Sequence, residues 1–122
     1  MKQTYETGLN GEKTAEEWLV REKGMRCLER RYRSPRGEID LIMLDRETLV
    51  FVEVKTRRTG AAGLGLMAVS PAKQRRILES AVCYLMRRNA MNASIRFDVI
   101  ELHGREVLYV PNAFQGGGMF YR

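Results

Sequence analysis

Two short segments, Gly37-Glu38-Ile39-Asp40-Leu41-Ile42 and Val50-Phe51-Val52-Glu53-Val54-Lys55, constrain this chain more than anything else in it. Ile39 to Leu44 is rich in aliphatic side chains, and Leu49 to Val54 is a run of β-branched and aromatic ones; both read as strands. Between them lies Asp45-Arg46-Glu47-Thr48, polar and short enough for a hairpin loop. A four-residue loop pairs Leu44 with Leu49, and a two-residue turn of Arg46-Glu47 gives the same register. Counting back, Asp40 then lies opposite Glu53, and Glu38 opposite Lys55. Opposed residues share a face, with Cβ atoms roughly 4.5–5.5 Å apart. Lys55, two residues after Glu53, shares it too, while Val50, Val52 and Val54 point the other way. A three-residue loop would send Asp40 to the opposite face.

Two carboxylates so placed repel unless something cationic sits between them. Oxygen donors converging with a lysine suit a hard cation such as Mg²⁺, with Mn²⁺ as its substitute. A metal-bound water beside a lysine is a source of nucleophile for phosphodiester hydrolysis. The plainer alternative is a Glu38–Lys55 salt bridge and a carboxylate pair on a solvated face. The second strand is otherwise strongly apolar, which predicts a central place in a sheet. Charges in a central strand need an explanation, and a site supplies one.

The bulk properties fit. At 122 residues the chain reads as a single domain over 1–122, able to bury roughly two-thirds of its unfolded surface. Its net charge of +6 favours an anionic partner, nucleic acid above all. The single histidine excludes a zinc cluster or a serine–histidine system of the usual kind. Cys27 and Cys83 form no motif and read as small core residues in a reducing compartment. No signal peptide or membrane span is evident, so a cytoplasmic protein is expected.

Along the chain, Thr4 to Glu22 reads as a helix ending near Gly24. Gly8, Glu12, Ala15 and Leu19 lie along one helical stripe, which turns Glu12 inward. Glu12 is either a third carboxylate near the metal or a surface glutamate; Glu16 and Glu17 suit the surface better. Met25 to Tyr32 is a strand running into Arg30-Arg31-Tyr32-Arg33 and Arg36. Arg31, Arg33 and Arg36 are candidate phosphate contacts, and Tyr32 a candidate base-stacking ring, set against a plain solvated loop. After Lys55, Arg57 and Arg58, two more candidate nucleic-acid contacts, lead into a loop with Gly60, Gly63 and Gly65, which lacks the Gly-Lys-Ser/Thr of a phosphate-binding loop. Ser70-Pro71 starts a second helix running to about Arg88, with Ile77, Leu78, Ala81, Val82 and Leu85 as its buried stripe. Lys73 and Gln74 lie at the end nearer the site, whereas Arg87 and Arg88 suit the C-terminal dipole. Ser94 to Leu102 and Glu106 to Val110 are strands joined through His103-Gly104-Arg105. Asp98 is expected to be buried near Arg96, and residues 115–122 form a flexible tail. The strands on either side of the second helix should be parallel. The fold class is therefore α/β, a mixed sheet flanked by helices.

Asp40 followed by Glu53-Val54-Lys55 on the next strand resembles the PD-(D/E)xK nuclease superfamily, with its restriction-endonuclease-like fold. Within it, the two long segments and the leading Gly8-Leu9-Asn10-Gly11-Glu12 look like the YraN-like bacterial family, related to archaeal Holliday junction resolvases. The likeness extends through Lys73-Gln74-Arg75-Arg76 to Arg96-Phe97-Asp98-Val99. Ile39 stands where the superfamily label has proline, a variable position that carries no chemistry. The resemblance implies a Mg²⁺-dependent nuclease acting on DNA, resolvase-like and structure-selective, and a homodimer. Asp40 and Glu53 would bind the metal with the Val54 carbonyl, Lys55 would orient the water, and Glu12 would complete the acidic set. Glu38 would support them, and the recurrent Lys73-Gln74 pair would contact substrate. The rival readings are a non-catalytic nucleic-acid-binding module on the same fold and a protein-interaction domain.

Overall fold

The computed structural model describes residues 2–57 and 69–115, and of residues 2–10 the backbone alone. In chain order the elements are α1 (Lys2–Lys23), β1 (Arg26–Ser34), β2 (Gly37–Asp45), β3 (Thr48–Arg57), α2 (Pro71–Arg87), β4 (Ser94–His103) and β5 (Glu106–Phe114). The strands form one mixed sheet in the order β1-β2-β3-β4-β5. Only β3 and β4 are parallel, and α2 lies between them in the chain. This is the expected α/β architecture, with β3 central.

Local chemistry accounts for the element ends. Gly24, at φ +68, closes α1 in the left-handed conformation that glycine adopts without strain. Ser70 caps α2 by accepting from the Lys73 amide at 3.1 Å, and Pro71 takes the first turn. Asp45 pairs with Thr48, so the β2–β3 turn is the two-residue Arg46-Glu47 turn. Its ladder runs from Leu44↔Leu49 to Leu41↔Val52, the register counted from the sequence.

The sheet divides two cores. Ala15 and Leu19 of α1 cover Leu41, Met43, Val50, Val52 and Ile100. Ile77, Ala81 and Leu85 of α2 cover Ile42, Phe51, Phe97 and Val99 on the other side. Strand alternation thus sends Glu53 and Lys55 to the α2 side, with Val54 packed against the α1 side. The buried residues of α2 also include Ser80 and Tyr84, while Val82 is only half-buried.

β5 runs past the expected end at Val110, through Pro111 to Phe114, which stacks on Phe97 at 5.2 Å. An edge strand tolerates that proline. Asp98 sits at the irregularity between β4 and β5 and is fully buried. It accepts from Arg96 Nε at 3.0 Å, from the Tyr109 hydroxyl and from the Asn112 amide at 2.8 Å. Arg96 also reaches Asp45 at 3.1 Å. The expected burial of Asp98 beside Arg96 is what the fold contains.

Candidate functional site

The polar residues of β3 meet the start of α2. Glu53 is 4% exposed, and its Oε2 lies 2.6 Å from Lys73 Nζ and 3.2 Å from Lys55 Nζ. A carboxylate removed from water needs such partners, because desolvating it alone is very costly. Across the hairpin, the Val54 amide donates to Asp40 Oδ2 at 2.8 Å. The ladder pairs end at Leu41↔Val52, and beyond them a side chain takes the amide.

A second irregularity lies opposite, one strand away. Arg31 falls between the pairs Arg30↔Leu41 and Tyr32↔Ile39, and its φ is 49. That left-handed residue interrupts strand alternation. Leu41 packs on the α1 side, while Ile39, two residues earlier, packs on the α2 side. Asp40 is the residue at this reversal.

Its charge is poorly tolerated there. The Asp40 carboxyl is pushed up to about 7, first by burial and then by the charge of Glu53, with Glu12 adding to it. The Val54 amide and Lys73 oppose the shift without cancelling it. Burial and its contact with Lys73 lower the Lys55 ammonium, against the pull of Glu53. Burial also disfavours the charge on Lys73, but its contacts with Glu53 and Lys55 and the field of Asp40 outweigh that and raise it. The two lysines therefore differ: Lys73 is held as a cation, and Lys55 is the readier to give up its proton.

Glu12 comes close through α1. Its Oε1 accepts from Arg31 Nε at 2.8 Å. The neighbouring Gly11 is needed for this approach, since a Cβ there would lie 2.5 Å from Thr56 Oγ1. Ala15 and Leu19 are fully buried on the stripe expected from the sequence.

Asp40, Glu53, Lys55 and Lys73 thus come together, with Glu12 in electrostatic reach. Glu38 does not join them. It is exposed and lies 3.5 Å from Arg33, because β2 has left its ladder with β3 before reaching it. The expected Glu38–Lys55 pair is absent, and Lys55 turns to Glu53 instead. Tyr32 is not a free stacking ring: it is 8% exposed and packs edge-on to Tyr84. The arginine rim is divided. Arg30 holds Glu16 through two bonds of 2.7 Å and Arg31 holds Glu12, while Arg33 and Arg36 are exposed. Arg57 is half-buried with its Nε shielded from solvent, and Gln74 donates to the Val69 carbonyl at 3.0 Å. Arg58 and the Gly60, Gly63 and Gly65 segment lie outside the described residues, as do 116–122 of the expected tail.

Sequence reasoning passed over Glu101, which is fully buried and stands beside Lys55 in the β3–β4 register. The signal was the same as for Glu53, an acidic residue in an apolar strand. The sequence shows Lys73 only as a candidate substrate contact, because the distance from α2 to Glu53 is a tertiary fact.

Asp40 and Glu53 offer oxygen donors alone, the set a hard cation takes while keeping several waters. Among the described residues no three or more His, Cys, Asp or Glu form a metal cage, so an ion here would take Asp40 and Glu53 as its carboxylate ligands and fill the rest of its shell with water. The raised Asp40 carboxyl agrees, since an added cation would relieve its repulsion from Glu53. Lys73 already holds one oxygen of Glu53, so the ion would share that carboxylate or displace the ammonium.

A family model described as "Uncharacterised protein family UPF0102" matches residues 11–102. The chain belongs to that family. A UPF0102 protein of Chlorobium phaeobacteroides strain BS1 is 47% identical over 98 residues, covering 80% of this chain and 77% of its own. UPF0102 relatives from Desulfosudis oleivorans and Geobacter sulfurreducens are 41% and 39% identical, covering 93% and 88% of this chain and 94% and 88% of theirs. This is the YraN-like bacterial family that the two motifs resemble. The UPF0102 match takes in Glu12, Asp40, Glu53, Lys55, Lys73 and Glu101, and stops before β5. No helix among the described residues is long and apolar enough to cross a membrane.

Proposed function

We propose that this UPF0102 protein is a metal-dependent nuclease of the PD-(D/E)xK type that hydrolyses DNA phosphodiester bonds. The observation that carries the reading is the Asp40–Glu53 pair, which sits where β2 leaves β3 and is under-neutralised despite two lysines. A Mg²⁺ or Mn²⁺ ion held by Asp40, Glu53 and the Val54 carbonyl would supply an activated water and a counter-charge for the phosphate. Lys55, with its weakened ammonium, accepts or orients the proton of the attacking water and then stabilises developing charge. Lys73 fixes the rotamer of Glu53, and Glu12 adds negative field at Asp40. The net charge of +6 draws the polyanionic substrate. A structure-selective, resolvase-like preference, a homodimer and a cytoplasmic setting complete the proposal; the free Cys27 and Cys83 suit a reducing compartment.

The test sets wild type against Asp40→Asn on labelled duplex, single-stranded, flap and four-way-junction DNA, with Mg²⁺, Mn²⁺ or EDTA. Metal-dependent cleavage that the variant loses by about two orders of magnitude or more, at equal folding, is the expected result. One observation favours a second reading. Both lysines contact Glu53, so that carboxylate has cationic partners without a metal. DNA binding with no cleavage by either protein would make this chain a non-catalytic binding module.

A further inference from the structure

We propose that the groove between β1 and the C-terminal half of α2 binds a nucleic-acid backbone, at a place distinct from the carboxylate–lysine site. The groove is a depression of about 320 Å³. Among the described residues its walls carry Arg31, Arg33, Arg87 and Arg88 around Tyr32 and Tyr84, with Glu29 as the one acid. The arginines come from elements far apart in sequence, so the cluster is made by the fold.

Arg87 and Arg88 lie at the end of α2, where a basic residue ordinarily serves the helix dipole. Here their side chains lie over the groove's aromatic rings. The Arg87 guanidinium lies 5.9 Å from the centre of the Tyr32 ring, and that of Arg88 lies 5.3 Å from Tyr84. The rings are fixed in turn, meeting edge to face at 5.3 Å with both tyrosines buried. A guanidinium placed near a fixed ring face is attracted to it and still carries the N–H fork that matches phosphate oxygens.

The charges are unequally committed. Arg88 neutralises Glu29 at 2.8 Å, and Arg31 is held by Glu12. Arg33 stands 3.5 Å from Glu38 with a side chain 79% exposed, and Arg87 is exposed. Among the described residues its one acid is already paired, and the groove presents the exposed Arg87 together with Arg33, whose contact with Glu38 leaves its side chain mostly in solvent. It also runs beside β1, the edge strand of the sheet. A cationic groove at a sheet edge, in a chain of charge +6, fits a phosphodiester strand. The inference rests on the nucleic-acid partner proposed above and not on cleavage.

The test is anisotropy of a short labelled single strand and of its duplex, in EDTA, over a salt series. Wild type is compared with Arg33→Gln/Arg87→Gln and with Arg33→Lys/Arg87→Lys. The glutamine variant should bind more weakly. Its salt slope should flatten by about 0.7 per lost contact on single strands and about 0.9 on duplex. The lysine variant keeps the charge and should keep the slope. Both positions are exposed, so all three proteins should fold, and a thermal melt of each confirms that binding is compared at a temperature where all are fully folded. Wild-type affinity and slope in the glutamine variant would overturn the proposal. So would an absence of DNA binding at low salt, or polyglutamate held as tightly as DNA. Cleavage is scored separately. A wild type that never cleaves, but whose glutamine variant loses slope, removes the nuclease and leaves the groove. A cleaving wild type whose variant binds unchanged does the reverse.

Discussion

A single side chain, Asp40, concentrates the chemistry. Its carboxyl is pushed from the ordinary 3.8 up to about 7, so the folded protein keeps a proton that the unfolded chain has released. Between those values the folded state binds more protons, and stability from this group falls as pH rises. That is opposite in sign to a salt-bridged carboxylate. The melting temperature of metal-free protein should therefore drop from pH 5 to pH 8 through this group. Asp40→Asn, which can still accept from Val54, should flatten the profile; an unchanged slope would assign the titration elsewhere. Because a cation must displace that proton, Mg²⁺ should raise the melting temperature more at pH 8 than at pH 6. Lys73 gives a companion prediction. Lys73→Met removes a 2.6 Å contact to buried Glu53 and should cost about 1.5–3 kcal/mol in a urea melt. It also removes a competitor for the carboxylate, so Mn²⁺ binding measured by calorimetry should tighten. Weaker binding would instead make Lys73 a support of the metal locus.

At the scale of elements, the closeness of α1 to β3 depends on Gly11. Propensity alone says that Gly11→Ala should stabilise a helix by about 1 kcal/mol. The contact says otherwise, because the new Cβ would meet Thr56 Oγ1 at 2.5 Å, on a β-branched side chain with little freedom to turn away. Gly11→Ala should therefore lower the melting temperature in the wild-type background and raise it beside Thr56→Ala. Additive effects in that double-mutant cycle would mean α1 adjusts freely. Such contacts also mark what could be read in advance. The β2–β3 register was legible because alternation and a short polar turn fix it. The stripe of Ala15 and Leu19 was legible from helical period. Arg31 was not: no glycine or asparagine in Arg30-Arg31-Tyr32 announces a left-handed residue, and nothing in Gly37-Glu38-Ile39 announces that β2 leaves β3 before Glu38. Nor was the continuation of β5 beyond Pro111 legible; it depends on the irregularity at Asp98 and on Phe114 reaching Phe97.

Across the described molecule, two acidic systems occupy opposite faces of one sheet, and they differ in how well the fold neutralises them. Asp98 is surrounded by donors from Arg96, Tyr109 and Asn112, which tie β4 to β5, and Arg96 carries the network on to the end of β2 at Asp45. Every bond there is made within the chain, so the network serves folding. Asp40 and Glu53 sit on the other face with repulsion left over, an arrangement that folding alone does not favour and that a cation would complete. The two should therefore respond oppositely to removal. Asp98→Ala leaves Arg96 without its main partner and should cost about 3–5 kcal/mol in urea denaturation. Asp40→Asn removes a disfavoured charge and should leave metal-free stability at pH 8 unchanged or higher. Asp98→Ala should also lose DNA binding only in step with its unfolded fraction, whereas Asp40→Asn should lose cleavage while fully folded. Comparable stability losses in the two variants would place Asp40 among the structural residues and remove the physical basis for a catalytic carboxylate pair.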